Sequence, residues 1–418
     1  MALYNPFWLN LMGMNKVHMA MPSLCSARHM HTNVAFHQKK KMNQRIFQID
    51  ALRGFALFGI LIVNIFVFHA PYPYYGEFYS QFEGMNRNIV DNMIFFFGGK
   101  FMFIYAFLFG YNFWIQYEKS QELSKFRKYW NRRLLLLACF GIVHVLLFSF
   151  GDILMPYAIL GFTLPLFAKL SNTRIFIWFL LINFIPVYEF VLRGFLEFPS
   201  IFMQPNETLS NYLKINSQGS FIDISILRVR DYFSFGNEKL IMYVPKEISL
   251  FLFGILASRN KLATDVKKVN GIIFCLFALI NVGVMYFFRP QIISFFNFEE
   301  SLSQRIFLGF IIHISEFLHG LLYVVGFFML WELPIFKKLF YPLTYTGKIS
   351  LTNYIMQSII CVFLFSGLGY YGKLTPLELI ICALAIYMIQ ILFSILWLRR
   401  RKYGPLEFIW RRYSKNKL

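Results

Sequence analysis

The sequence predicts an all-α, polytopic membrane helix bundle of about ten transmembrane helices. Hydrophobic residues make up 57% of the 418-residue chain and charged residues only 15%, far from the usage of soluble proteins. About ten apolar runs approach the roughly 20 residues that one spanning helix needs. The 41 Lys and Arg residues against 21 Asp and Glu give a formal net charge of +20. Because the basic residues fall between the apolar runs, they indicate membrane topology and not nucleic-acid binding.

The predicted spans follow one another closely along the chain. In order, they are residues 52–70, 92–114, 134–150, 153–169, 174–193, 243–258, 270–288, 306–331, 349–369 and 377–398. Only Gly151 and Asp152 separate the third run from the fourth, and Pro156 favours a tight hairpin there over one long helix. Residues 42–412 are therefore predicted to form a single transmembrane domain.

The charge of the connecting segments predicts their sides of the membrane. Cytoplasmic loops carry an excess of Lys and Arg, so both termini are predicted to be cytoplasmic, with residues 413–418 as a basic tail. Residues 1–41 are predicted to be a disordered cytoplasmic arm, or to precede a true start at Met42. Residues 194–242 form a large extracytoplasmic loop, in which residues 221–235 are apolar enough to lie on the membrane or fold back as a lid. A plain spacer is the alternative for that loop.

Polar side chains in the first run mark one candidate site, because ionisable groups in a bilayer are costly and usually face the protein interior. Asp50 and Arg53 lie three residues apart on one helical face at the cytoplasmic start of the run. They either form a local ion pair or, together with Arg45, bind an anionic ligand that enters from the cytoplasm. Asn64 lies deeper and is predicted to hydrogen-bond to another helix.

His144 and Asp152 form a second candidate site at the outer end of the third run. On one straight helix, eight residues amount to about 12 Å of rise, so the two side chains are not expected to touch. Both could still line one outward-facing cavity. Histidine titrates near neutral pH and acts as an acid or a base, with a carboxylate to orient it. The alternative is a histidine that only hydrogen-bonds between helices.

The segment HISEFLH places His313, Glu316 and His319 on one face of the eighth run. The row is interpreted as a mutually satisfied polar seam, as a proton relay or active-site lining, or as a metal pair, although it is not the i, i+4 zinc motif. Lys100 follows two glycines that would let another backbone approach. It either snorkels to the outer surface or binds an anionic substrate. Neither a metal site nor a permanently bound cofactor is predicted.

Several long segments resemble the YeiB-like family of bacterial polytopic membrane proteins, whose carboxy-terminal part is a domain of unknown function. They are RIFQIDALRGFALFGILIVNIFVF, KFMFIYAFLFG, RRLLLLACFGIVHVLLFSFGDILMPYAILG and the closing block from GKISLTNYIMQS to RRRKYGPLEFIWR. The resemblance covers about residues 45–412. The YeiB-like proteins are distantly similar to the transmembrane acyltransferases, whose first helix opens with a pattern matched here by Arg45, Asp50, Arg53 and Gly54.

The resemblance implies an enzyme of the bacterial inner membrane. It would move an acyl group from cytoplasmic acyl-CoA to an extracytoplasmic hydroxyl or amine, on a sugar or a lipid-linked acceptor. The acyl-CoA phosphates would meet Arg45 and Arg53, beside Asp50. His144 would activate the acceptor, and Asp152 would orient the acceptor or the imidazole.

Two further expectations qualify that assignment. Many O-acyltransferases have a key histidine near the outer end of the first helix, where this chain has His69, but YeiB-like sequences do not characteristically place one there. The alternative function is a proton-coupled transporter or flippase of a small metabolite or lipid-linked sugar. Such a protein would use the intramembrane polar residues as a proton relay.

Overall fold

The structure is a computed structural model that describes residues 24–120, 123–184, 207–234, 244–261, 268–295 and 302–414. Over these residues the chain forms helices joined by turns, without a strand, so the predicted all-α polytopic bundle is confirmed. The helices are α1 Leu24–His69, α2 Tyr75–Ser80, α3 Gly84–Phe97, α4 Lys100–Glu118, α5 Leu123–Leu147, α6 Leu154–Gly161, α7 Leu164–Phe167, α8 Asn172–Asn183, α9 Leu209–Gln218, α10 Phe221–Ser234, α11 Val244–Arg259, α12 Lys268–Phe295, α13 Leu302–Trp331, α14 Pro334–Phe340, α15 Leu343–Lys348, α16 Ser350–Val362, α17 Pro376–Arg400 and α18 Pro405–Ser414.

Seven segments of the described chain are long and apolar enough to cross a membrane. They are Phe47–His69, Gly84–Glu118, Ser124–Leu147, Asn270–Phe295, Ile306–Trp331, Ser350–Gly367 and Pro376–Arg400. The other three predicted runs form shorter helices where they are described, namely α6 with α7, α8, and α11. A count of ten crossings and the cytoplasmic position of both termini therefore stay predictions. Two predictions concern the termini, the arm of residues 1–41 and the tail of residues 413–418. Both fall largely on residues 1–23 and 415–418, which lie outside the described residues.

The third and fourth runs form the predicted hairpin. The indole nitrogen of Trp130, early in α5, donates a hydrogen bond to the Gly161 carbonyl at the end of α6 (2.9 Å). Further along α5, Gly141 faces the backbone nitrogen of Met155 near the start of α6. The two helices are therefore antiparallel, with the turn between Leu147 and Leu154.

Glycines bring α4 and α11 into backbone contact in the middle of the bundle. A β-carbon on Gly254 would overlap the carbonyl oxygen of Phe107, and one on Gly110 would overlap that of Phe251. Small residues at such interfaces let membrane helices approach closely. In lipid the hydrophobic effect does not drive helices together, so this close packing supplies much of the association energy. This contact holds α11, which is short for a span, inside the bundle.

The helix α12 has the opposite environment. Its apolar side chains point outward, with Ile280 66% and Phe287 69% exposed. Large exposed apolar surfaces of this kind are expected where a membrane helix faces lipid. On its inner side α12 is tied to α13, because Ser315 donates a hydrogen bond to the Asn281 side chain (2.7 Å). We therefore assign α12 to the lipid-facing periphery of the bundle.

The helices α1 and α16 run in the same direction and define two ends of the bundle. Midway along, the Gln357 amide donates to the Leu57 carbonyl (3.4 Å). At one end, the Gly372 nitrogen donates to the carbonyl of His69 (2.9 Å). At the other end, Gly347 contacts the backbone of Asp50. We refer to these as the His69 end and the Asp50 end, and the predicted topology makes the Asp50 end cytoplasmic.

The basic helix α18 closes the Asp50 end. The Trp410 indole donates to the Arg133 carbonyl of α5 (2.9 Å). Buried Glu407 accepts hydrogen bonds from the backbone nitrogen (3.0 Å) and the hydroxyl (2.6 Å) of Thr352, near the start of α16. Burial raises the pKa of Glu407 above its usual value, while the hydrogen bonds from Thr352 act in the opposite direction. The helix α18 thus joins α5 to α16.

At the His69 end, α9 and α10 fold back onto the bundle. The Tyr212 hydroxyl of α9 donates to Asp231 of α10 (2.6 Å). Arg228 of α10 donates to the Leu147 carbonyl, the last residue of α5 (2.9 Å). The helix α10 therefore covers the turn between α5 and α6, where a lid would lie. Residues 185–206 and 235–243 of this part of the chain lie outside the described residues.

Candidate functional site

His144 stands between a carboxylate and a hydroxyl. Its Nδ1 lies 3.0 Å from Asp152 Oδ1. Its Nε2 lies 2.8 Å from the Oγ of Ser358, on α16. All three side chains are buried, with His144 and Ser358 each 1% exposed and Asp152 3%. The three residue types and their order match the Ser, His, Asp constellation by which nucleophilic hydroxyls are activated in hydrolases.

The end of α5 at Leu147 makes the contact between His144 and Asp152 possible. The backbone nitrogens of Phe148 and Ser149 both donate to the His144 carbonyl (2.8 and 3.0 Å), which turns the chain out of the helix. The chain then returns so that Asp152 reaches the imidazole. The sequence argument against a contact applied to one straight helix, and the turn after Leu147 removes that condition.

Asp152 is held by its second oxygen. Oδ2 accepts a hydrogen bond from the Met155 nitrogen (2.7 Å), which caps the start of α6. Oδ1 faces His144 Nδ1 at 3.0 Å, although the two atoms are not aligned for a hydrogen bond. Such bonds are often poorly aligned in unliganded sites and tighten in the reacting complex. A carboxylate at Nδ1 favours the tautomer in which Nε2 accepts the proton of Ser358.

Sequence reasoning missed Ser358. A serine within an apolar run ordinarily bonds to its own helix, and the Ser358 hydroxyl does lie 3.4 Å from the Tyr354 carbonyl as well. The available signal was the polar content of the run 349–369. Asn353, Gln357 and Ser358 follow one another there, and all three are buried. Since 214 residues separate Ser358 from His144, no local pattern pairs them.

A small cleft opens at the His69 end, above the His144 and Ser358 side chains. Phe148 and Val362 line it. Phe148 follows His144 by four residues, and Val362 follows Ser358 by four residues. Four residues are about one helical turn, or 5.4 Å. The cleft is therefore separated from the His144 and Ser358 side chains by a single layer of apolar side chains. Its polar lining includes Ser149, Tyr212, Arg228 and Asp231.

Arg228 connects this cleft to the end of α5. Its guanidinium donates to the Leu147 carbonyl, one of the four carbonyls that a helix end leaves without an internal partner. Burial lowers the pKa of Arg228 to about 10, so the side chain is still cationic at neutral pH. A cation at a helix carboxy terminus stabilises the helix dipole. Arg228 thus fixes the turn that carries Asp152.

At the Asp50 end, the predicted ion pair between Asp50 and Arg53 is present. The second terminal nitrogen of Arg53 donates to the Asn112 side chain of α4 (2.6 Å), a partner that the sequence did not indicate. Arg53 therefore ties α1 to α4. The Arg45 side chain lies outside the described part of the structure. Half-buried Asn64 makes no hydrogen bond to another helix among the described residues, contrary to prediction.

Positive charge surrounds this ion pair. Asp50 interacts electrostatically with Lys348 and Arg411 as well as with Arg53. Arg133 in turn lies within electrostatic range of Arg411 and Arg53. The planar Arg133 guanidinium lies 3.9 Å from the ring centre of Trp410. The surroundings of this ion pair therefore carry more positive than negative charge.

His69 is held by structural contacts at both ring nitrogens. Nε2 accepts a hydrogen bond from the Leu374 nitrogen (3.0 Å). Nδ1 therefore carries the proton and faces the Tyr79 hydroxyl (3.0 Å), which itself donates to the Phe66 carbonyl (3.1 Å). The imidazole, fully buried, joins the end of α1 to α2 and to the turn before α17.

The row His313, Glu316, His319 does not form a connected seam. Glu316 pairs with Lys246 of α11 (3.1 Å), and His319 Nε2 bonds to the Tyr323 hydroxyl one turn further along α13 (3.0 Å). Among the described residues, no hydrogen bond joins the three to one another, and no group of three or more His, Cys, Asp or Glu side chains could hold a metal ion. The polar seam and the continuous proton relay are therefore not present in this part of the chain.

The glycines before Lys100 have a different role from the predicted one. Gly99 has φ +74°, a left-handed conformation, and with Gly98 it divides the second run into α3 and α4. A β-carbon on Gly98 would meet the Ile94 carbonyl of its own helix (2.5 Å). The glycines thus make a turn and do not admit a second backbone. Lys100 begins α4 and lines a second cleft, between α3, α12 and α13.

Comparison with known proteins finds one family model that matches the closing part of the chain. Residues 251–417 match the family model "Protein of unknown function (DUF418)". That segment contains Ser358, whereas His144 and Asp152 precede it. The match covers the closing block of the resemblance found in the sequence and does not reach its earlier segments.

Relatives extend the similarity over nearly the whole chain. The "Uncharacterized protein YxaH" of Bacillus subtilis (strain 168) is 28% identical over 393 residues, covering 88% of this chain and 94% of the relative. The "Uncharacterized protein YeiB" of Escherichia coli (strain K12) is 24% identical over 395 residues, covering 89% and 96%. The "Uncharacterized 39.9 kDa protein in amylase 3'region" of Bacillus acidopullulyticus is 26% identical over 393 residues, covering 90% and 95%. The chain is thus similar over most of its length to YxaH, YeiB and the B. acidopullulyticus protein, whereas similarity to the acyltransferases stays a prediction.

Proposed function

We propose that the chain is a membrane acyltransferase of the bacterial inner membrane that uses acyl-CoA as donor. The observation that carries the proposal is the contact of His144 with both Ser358 (2.8 Å) and Asp152 (3.0 Å) within one buried site. A hydroxyl, a base and an orienting carboxylate in this order serve to transfer acyl groups through a covalent ester. The resemblance to the transmembrane acyltransferases supports the same reaction class.

In the first half-reaction, Ser358 Oγ attacks the carbonyl carbon of the acyl thioester. His144 Nε2 accepts the hydroxyl proton as the new C–O bond forms. The C–S bond then breaks, and the proton passes from His144 to the departing thiolate, which leaves as free CoA. Asp152 holds the imidazole and stabilises its charged form. The acyl group remains as an ester of Ser358.

In the second half-reaction, an acceptor hydroxyl or amine attacks the ester carbonyl. His144 accepts the acceptor's proton and returns it to Ser358 Oγ when the ester bond breaks. The cleft at the His69 end supports entry of the acceptor from that side, because it lies one helical turn from His144 and Ser358. Phe148 and Val362 must move for the acceptor to reach the ester. Aromatic and polar side chains in the cleft suit a sugar or a lipid-linked sugar.

The Asp50 end suits the donor. Arg53, Lys348 and Arg411 surround the Asp50 carboxylate, so the local field attracts the phosphates of acyl-CoA. With the predicted topology, donor and acceptor approach from opposite sides of the membrane. The acyl group would then reach Ser358 from the Asp50 end and leave it toward the His69 end. This division of the two half-reactions explains why a nucleophile is buried so deeply.

Intact-mass measurement of the purified protein tests the proposal. After incubation with acetyl-CoA and without acceptor, we expect a mass increase of one acetyl group, located on Ser358 by peptide sequencing. The Ser358→Ala variant should lack the adduct, and Ser294→Ala, which removes an exposed serine of α12, should retain it. An adduct that persists in Ser358→Ala contradicts the mechanism. Uptake driven by a pH gradient and unaffected by Ser358→Ala would favour the transporter instead.

A further inference from the structure

We infer that the second cleft, between α3, α12 and α13, binds the phosphate headgroup of an anionic phospholipid. The cleft is small and open at the surface of the bundle. Lys100, Arg289, Glu316 and His319 form its polar side, and apolar side chains such as Met285 form the other. This inference does not depend on the proposed reaction, because none of these residues contacts His144, Asp152 or Ser358.

The charges around the cleft do not balance. Lys246 forms an ion pair with Glu316 (3.1 Å), which accounts for the carboxylate. Lys100 interacts electrostatically with Glu316, Lys246 and Arg289, but within the described residues neither Lys100 nor Arg289 has an ion-pair partner of its own. Two positive charges therefore remain where a cleft meets apolar surroundings. Placing unpaired cations in apolar surroundings costs free energy, and a bound anion would offset that cost.

The cleft is accessible from lipid. It is bordered by α12, whose outward side chains Phe287 (69%) and Phe288 (56%) are exposed next to Arg289. Arg289 itself is exposed, and Lys100 is half-buried beneath it, with its Nζ 6.0 Å from the Phe95 ring centre. A lipid could place its phosphate at the two cations and the first carbons of its chains along Met285. A soluble anion would gain nothing from that apolar side.

The chemistry of the cations selects the headgroup. A guanidinium offers two parallel N–H donors to phosphate oxygens, and an ammonium adds a point charge. A phosphodiester with no amine, as in phosphatidylglycerol, brings a full negative charge. Phosphatidylcholine has its own quaternary ammonium, which the two cations would repel. The cleft should therefore prefer phosphatidylglycerol to phosphatidylcholine.

Native mass spectrometry in detergent tests the inference with these two lipids. The protein should retain one phosphatidylglycerol molecule at least tenfold more tightly than phosphatidylcholine. The double variant Lys100→Gln/Arg289→Gln should lose that preference. The matched control Lys214→Gln/Lys373→Gln removes two exposed lysines outside the cleft and should keep it. Arg289→Lys keeps the charge but not the paired donors, so it should weaken binding only partly.

Three results would overturn the inference. One is equal retention of the two lipids by the unmodified protein. Another is unchanged phosphatidylglycerol binding by a double variant whose melting temperature matches that of the unmodified protein. The third is displacement of the bound lipid by millimolar inorganic phosphate, which would mark a site for free anions and not for a lipid.

Discussion

The imidazole of His144 lies 2.8 Å from the hydroxyl of Ser358, although 214 residues separate the two in the chain. The ring of Tyr354, one turn before Ser358, also packs on the imidazole, with 5.0 Å between ring centres. The hairpin of α5 and α6 supplies the base and the carboxylate, and α16 supplies the hydroxyl. The candidate site therefore exists only when these two parts of the bundle are packed together.

Replacing Asp152 by asparagine should separate catalysis from stability. The amide can still accept the hydrogen bond from Met155, but its NH₂ group would face His144 Nδ1 and favour the wrong tautomer. We expect the single-turnover rate of ester formation on Ser358 to fall by about 10⁴-fold. The melting temperature should change little.

Asp152→Ala is the matched comparison for that prediction. It removes the cap of α6 as well, so unfolding should become easier by about 1 kcal/mol. Thermal unfolding in detergent measures this difference between the two variants. An asparagine variant that forms the ester at the original rate would show that the carboxylate does not orient His144.

Removing only Arg53 from its ion pair with Asp50 should destabilise the protein more than removing both charges. Arg53→Gln leaves a buried carboxylate without its main partner, and breaking a buried pair costs about 3–5 kcal/mol. Since Arg53 is 23% exposed, we expect the lower end of this range. The free energy of unfolding, measured with denaturant, should fall by about 3 kcal/mol. The double variant Asp50→Asn/Arg53→Gln should recover most of the loss.

The same double variant tests the donor site. If it is as stable as the unmodified protein but binds CoA more weakly by calorimetry, then Arg53 contributes to binding beyond its structural role. Unchanged CoA affinity in a stable double variant would assign Arg53 to the helix contact alone. This measurement distinguishes the two interpretations that the sequence left open.

The glycine contact between α4 and α11 gives a test of packing. Gly254→Ala introduces a β-carbon that overlaps the Phe107 carbonyl, and overpacking of this kind costs about 1–3 kcal/mol. Gly283→Ala, on α12, is the control, because no atom lies within 4 Å of its added β-carbon. That variant should gain about 0.5–1 kcal/mol from helix propensity. Melting temperatures that move in the same direction would contradict this account.

Glu407 should make stability depend on pH. Because burial raises its pKa, the folded state favours the protonated carboxyl. The stability that this group contributes is present at pH values below about 4 and is lost as the pH rises through the raised pKa. In the unmodified protein, we expect the melting temperature to fall as the pH increases through this range. Glu407→Gln, which does not titrate, should flatten the profile, and an unchanged slope would contradict the assignment.

Local patterns in the sequence predicted much of the fold. Hydrophobic length located the runs, and the pair Gly151 and Asp152 with Pro156 located the hairpin, because turn and helix-breaking chemistry acts over a few residues. The same patterns misjudged Gly98 and Gly99, since the φ of a glycine cannot be read from its neighbours. The number of crossings also depends on where short helices end, which apolar composition alone does not fix.

The candidate site could be predicted only in part. His144 and Asp152 were identified because ionisable residues in apolar runs are rare, but their contact depends on α5 ending at Leu147. Ser358 was missed, because only packing across the bundle pairs its hydroxyl with His144. The same is true of Asn112, which binds Arg53 from another helix. Local chemistry nominates residues, and tertiary contacts decide which of them act together.

The position of α18 has a consequence for synthesis. Its residues leave the ribosome after the seven candidate spans of the described residues, yet they bond to Arg133 of α5 and Thr352 of α16. A nascent chain can therefore have all of these spans inserted while the seam between α5 and α16 is still open at the Asp50 end. Translation arrest within Pro405–Ser414 would leave a chain that is inserted but not closed, and membrane quality-control proteases would meet it in that state.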